Sequence, residues 1–170
     1  MFVLNRNLPF PAVDVAKAVG ARAIAKLIVD SGYTRPAILK GDDAHRSSKE
    51  RLAGVMEVLD EAGITVDPNA VANGKFSRTD GYAAVMQMAR SGLLKPGEGA
   101  LYDGKGIDSI IALNDVMAIG AMTALRANGI EPGREIGVTG FGDIPYSADV
   151  FPPLTSVHLP LAEMGQAAVD

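Results

Sequence analysis

A chain of 170 residues with 48% hydrophobic content is long enough to bury one sizeable core, so one domain is the expectation. Its net charge of −4, with no dense Lys/Arg block, argues against nucleic-acid binding through its own surface, because phosphate contacts need clustered positive charge. Zero cysteines exclude disulfides, thiolate metal sites and thiol nucleophiles. No apolar run approaches membrane-spanning length, and Asn5-Arg6-Asn7 interrupts the opening apolar run before it can form a signal-peptide core. A cytoplasmic location with no membrane partner is therefore expected. The chain opens directly on an apolar run and stops at Asp170 inside a helical pattern, so both ends read as cuts through a longer protein.

Taken in order, residues 2–5 read as a strand, and Leu8-Pro-Phe-Pro11 as an extended connection, since proline excludes both helix and ladder. Residues 16–31 carry a helical stripe of Ala21, Ile24, Ala25 and Ile28, stopped by Gly32. A strand at 36–41, a polar loop at 42–48 and a helix with Leu52, Val55, Met56 and Leu59 inward follow. Residues 71–76 read as a strand, and Ser77-x-x-Asp80 as a capping box opening a helix with Tyr82, Val85, Met86 and Ala89 buried. Residues 91–106, rich in Gly and polar residues, read as a long surface excursion.

The next stretch is the most informative. Ser109-Ile-Ile-Ala-Leu113 is a short strand, Asn114 sits at an N-cap position, and Ala118, Ala121, Met122 and Leu125 recur at helical spacing up to Asn128-Gly129. A strand at 136–141 ends in Gly142-Asp143. Residues 144–151 read as irregular, 154–159 as a last strand, and Pro160 as the start of a helix. Alternating strands and amphipathic helices mean an α/β fold with a parallel sheet covered on both faces.

Ligands of such sheets bind at the carboxyl ends of the strands. The loops there carry Asn5, then Asp42, Asp43, His45, Ser47 and Arg51, then Phe76, Asn114, Asp115 and Asp143. That mixture of amides, acids, a hydroxyl, an arginine and an aromatic suits a small polyhydroxylated or heterocyclic ligand. Catalytic patterns are weaker. Gly137, Gly140 and Gly142 lack dinucleotide-site spacing, no P-loop occurs, and the two histidines lie far apart. Asp42-Asp43 could imitate a magnesium site, although acidic residues near helix starts commonly serve solvation and dipole pairing. No cofactor or metal is implied.

Several strings resemble the LacI/GalR transcriptional regulators, in the effector-binding domain of the periplasmic-binding-protein-like type I fold. They are IIALNDVMAIGA (110–121), IGVTGFGDIP (136–145), FPPLTSV (151–157), RLAG (51–54), Phe76-Ser77 with Gly81-Tyr82, and Leu4-Asn-Arg6, in family order over nearly the whole chain. The resemblance implies a doubly wound sheet, mainly the second of two similar subdomains. Residues 1–15 would end the first subdomain and cross over, 16–153 would form the second, and 154–170 would return. It implies a non-enzymatic sensor of a sugar or related metabolite, acting as a homodimer through the helix from Asp115 and the segment near Val150. DNA would be bound only through a headpiece outside this chain. Asn5, Arg51, Phe76 and Asn114 match positions that commonly contact effector, and Asp143 matches the second acid of the family's GxDD end. Gly142 stands where the first acid is frequent, and Asn5 where Asp is common. The rival readings are an exported solute-binding protein and an enzyme using Asp42, Asp43 and Asp143.

Overall fold

The computed structural model describes residues 2–4, 13–15, 17–94 and 106–169. Strands β1 (Phe2–Leu4) and β2 (Val13–Val15) pair antiparallel as a separate ribbon. The main sheet contains β3 (Pro36–Lys40), β4 (Val71–Asn73), β5 (Ser109–Ala112), β6 (Gly137–Gly142) and β7 (Thr155–His158), in the order β4-β3-β5-β6-β7. Every pairing in it is parallel, which requires crossovers, and helices supply them.

Helices α1 (Lys17–Asp30) and α2 (Arg46–Glu61) lie together on one face. Helices α3 (Arg78–Arg90) and α4 (Asp115–Ala127) lie on the other. Because both faces are covered, the central strands send apolar side chains to both of them. Ile38 and Ile111 point into the α1/α2 core, while Ala37, Leu39, Ile110 and Ala112 point into the α3/α4 core. The expected α1 stripe of Ala21, Ile24, Ala25 and Ile28 is buried as read.

Three expectations are corrected. The buried stripe of α3 is Gly81, Ala84, Val85 and Met88, and Tyr82 is 36% exposed. The cause is close helix contact: a Cβ on Gly81 would lie 2.1 Å from the Met117 carbonyl oxygen, and one on Gly120 the same distance from that of Arg78. Small residues set this face, so hydrophobicity alone pointed one residue off. Strand β4 ends at Asn73, because Phe76 adopts φ 60, outside the strand region. Residues 144–151 contain a four-residue helix, α5 (Tyr146–Asp149), where an irregular path was expected. Of the expected 91–106 excursion, Leu94 turns inward and is buried, and residues 95–105 lie outside the described residues. The closing helix is α6 (Leu161–Val169).

Candidate functional site

The carboxyl ends of β3, β4, β5, β6 and β7 form one rim, and its geometry follows from local anchoring. Phe76 is held in its left-handed conformation from two sides. Its carbonyl accepts from Asn114 Nδ2 at 3.1 Å, and the Lys75 N–H before it donates to Asp80 Oδ2 at 2.7 Å. The Phe76 ring lies across Gly41, where a Cβ would fall 1.9 Å from a ring carbon. Strain of this kind costs on the order of 1–3 kcal/mol and persists only where the surroundings over-determine it. The exposed His45 ring stands 6.3 Å from the Phe76 ring, tilted by 42°, so the two make an aromatic corner.

Asp80 sits at the expected capping box. Its N–H donates to Ser77 Oγ, and its carboxylate accepts from the Ser77 hydroxyl and the Lys75 N–H. The Ser77 hydroxyl first, and then the Lys75 N–H, hold its carboxyl pKa below the ordinary value.

Asn114 is the N-cap of α4, its Oδ1 accepting the Met117 N–H at 2.9 Å. Capping and the Phe76 tether use one donor and one acceptor position, leaving one Nδ2–H and one lone pair available to a ligand. Arg51, in α2, donates from Nη1 to the Leu113 carbonyl at 2.6 Å. Its guanidinium carbon stands 4.0 Å from the Phe141 ring centroid, a cation–π contact of roughly 0.5–2 kcal/mol. Arg51 is thereby fixed beside the end of β5 and next to Asn114. Ser47 is half-buried in the first turn of α2, whereas neighbouring Ser48 is fully buried and donates to the Gly41 carbonyl.

Asp143, at φ 52, donates its N–H to Ser156 Oγ at 3.0 Å, and its Oδ2 lies 2.8 Å from His158 Nδ1. Beneath this pair is Asp115, which is 1% exposed. Its carboxylate accepts from the Ile144 N–H, the Ser147 hydroxyl and the Ser156 hydroxyl, tying α4 to α5 and β7. Gly140 gives it room, since a Cβ there would meet Asp115 Oδ1 at 2.3 Å.

The structure thus brings together His45, Ser47, Arg51, Phe76, Asn114 and Asp143 on one rim, and Asn5 lies outside the described residues. Sequence reasoning missed His158 and Ser156 on the rim, the Lys75–Asp80 bond that helps hold Phe76, and the supporting role of Asp115. Asp42 and Asp43 have local partners: Asp42 Oδ1 accepts from the Ala44 N–H, and Asp43 pairs with Lys40. Among the described residues, no three His, Asp or Glu side chains cluster as a metal site would require. A concavity of about 690 Å³ lies away from this rim, beside β4 and α3. It is an open groove whose one charged lining side chain is Asp80, already committed to the Ser77–Lys75 loop.

A parallel sheet sandwiched by helices, with polar side chains gathered at the carboxyl ends of its strands, is an α/β fold of the kind that binds ligands at that edge. Comparison with known proteins makes this specific: the chain belongs to the periplasmic binding protein-like domain family, whose model matches residues 25–170. It is 34% identical over 173 residues to the HTH-type transcriptional regulator AscG of Escherichia coli strain K12, covering 99% of this chain and 48% of that protein. A LacI-family regulatory protein from Chloroflexus aggregans superposes with a TM-score of 0.85 at 30% identity, covering 97% of this chain and 55% of that one. A sugar-binding LacI-family regulator of Escherichia coli, solved with phosphate, gives a TM-score of 0.77 at 32% identity, covering 91% and 51%. The chain spans about half the length of the curated relatives it matches. Among the described residues, no helix is long and apolar enough to cross a membrane.

Proposed function

We propose that this chain is the effector-binding part of a LacI-type transcriptional regulator, with DNA bound by a headpiece elsewhere in a longer, cytoplasmic protein. The observation that carries the reading is the rim at the carboxyl ends of one sheet, where His45, Ser47, Arg51, Phe76, Asn114 and Asp143 gather. The effector is a sugar or related polar metabolite: hydroxyls would meet Asn114, Arg51 and Ser47, and an apolar face would lie on Phe76. The sugar-binding relative supports that class. Residues 16–153 would form one wall of a two-sided cleft, with 1–15 and 154–170 leading to the other, and effector would shift the population of DNA-binding-competent states by closing it.

A homodimer fits the exposed side chains of Tyr146, at 71%, and Phe151, at 81%, which leave apolar surface around α5. The helix from Asp115 contributes less to such a face than its sequence suggests. Its Met117, Ala118, Ala121, Met122 and Leu125 are buried within the chain, leaving Val116, Ile119 and Thr123 half-exposed.

Calorimetric titration with a panel of sugars and nucleosides tests the site. A binding member of the panel is expected to lose at least tenfold affinity on Asn114→Ala or Arg51→Ala, as roughly 1.4 kcal/mol per lost charged or paired contact requires. Unchanged affinity in both variants would remove the rim as the site.

A further inference from the structure

We infer that His158, held by Asp143, is a specificity-determining residue of the rim that accepts a hydrogen bond from an effector hydroxyl through Nε2. The inference rests on the effector-binding reading above and adds a residue and a bond direction to it.

Sequence pairs Asp143 with nothing, since His158 lies fifteen positions away. The sheet register closes that gap: β6 and β7 run parallel with Gly142 beside His158, so the imidazole stands next to a position that has no side chain. Gly142 can offer a ligand nothing from that position. Asp143, next to it in sequence, and His158, next to it in the sheet, are both exposed and lie 2.8 Å apart through Oδ2 and Nδ1.

The direction of the bonds follows from their chemistry. A carboxylate only accepts, so Nδ1 must carry the proton that it donates to Asp143. In the neutral ring Nε2 is then bare and is an acceptor. Asp143 is itself fixed from below, because its N–H donates to Ser156 Oγ, and the Ser156 hydroxyl donates to the buried Asp115. A buried carboxylate, a serine, a backbone in the left-handed region and a second carboxylate thus set one imidazole in place. The ligand chemistry selected is a hydroxyl or N–H donor, as on a polyol, pointed at β7.

Nitrogen-15 spectroscopy of the protein tests this. The chain has two histidines, so long-range proton–nitrogen correlations at about pH 8, where free imidazole is neutral, are read with assignments from His45→Ala and His158→Ala. The free protein is expected to show His158 protonated at Nδ1 and bare at Nε2, with that preference lost in Asp143→Asn. The opposite tautomer overturns the inference whatever the ligand. D-Glucose, D-galactose, D-ribose and adenosine are then titrated. A compound that moves the His45 and Asn114 signals is expected to move His158 Nε2 as well, and to bind His158→Ala at least tenfold more weakly. A compound that binds on the rim with His158 unmoved and His158→Ala unimpaired sinks this inference and leaves the effector reading standing. If none of the four moves any rim signal, the effector reading itself fails for sugars and nucleosides, and the ligand half of this inference falls with it.

Discussion

The two ends of β5 use the same device for opposite purposes. Before the strand, Asp108 is 1% exposed and accepts from the Thr34 and Arg35 N–H groups, the Thr34 hydroxyl and the Ser109 hydroxyl, with Arg35 Nη2 3.8 Å away. Apart from Ser109, its donors come from the turn that enters β3, and the result is closure of the amino end of the sheet. Just past the strand, Asp115 is equally buried and also gathers backbone and hydroxyl donors, but its partners carry a further layer. Ser156 goes on to hold Asp143, and the adjacent Asn114 holds Phe76. A buried carboxylate surrounded by donors therefore says little alone. What separates a seal from a foundation is whether the groups around it end in the core or continue to side chains with hydrogen-bonding capacity left.

Breaking that comparison gives the largest expected effects. Asp115→Ala and Asp108→Ala should each cost about 2–4 kcal/mol of unfolding free energy by stranding buried donors, measured by urea denaturation. They should part in function: Asp115→Ala weakens binding of a rim ligand in folded protein at low temperature, while Asp108→Ala leaves it unchanged. Equal effects on binding would erase the distinction.

A smaller effect sharpens it. The Asp80 carboxyl pKa is lowered in the folded state, so its contribution is fully present above the unfolded value, about 3.9 for aspartate. It is lost as pH falls through the lower folded value. The difference in melting temperature between the protein and Asp80→Asn should hold steady above about pH 5 and shrink towards pH 3. A difference that grows on acidification would have the wrong sign.

What could be read from sequence divides along similar lines. The stripe Ala21, Ile24, Ala25 and Ile28 was legible because large and medium apolar residues at helical spacing face a sheet. The α3 face was not, because Gly81 is buried by helix–helix approach, for which hydropathy has no signal. Asn114 was legible as a cap, and its second bond to Phe76 was not, since it spans 38 positions and depends on a left-handed residue unmarked by glycine or asparagine. His158 was not legible as a rim residue, because Asp143 lies fifteen positions away and only the β6–β7 register joins the two. Side chains fixed by one element could be found, while those fixed between two strands had to wait for the pairing.

Backbone amide shift mapping with a binding sugar or nucleoside most directly tests the claim that one end of the sheet binds and the other seals. The account predicts perturbations concentrated at His45, Ser47, Phe76, Asn114, Asp143 and His158, with Thr34, Arg35 and Asp108 silent. Perturbations centred on Asp108, or on the groove beside β4 with the rim unmoved, would contradict it.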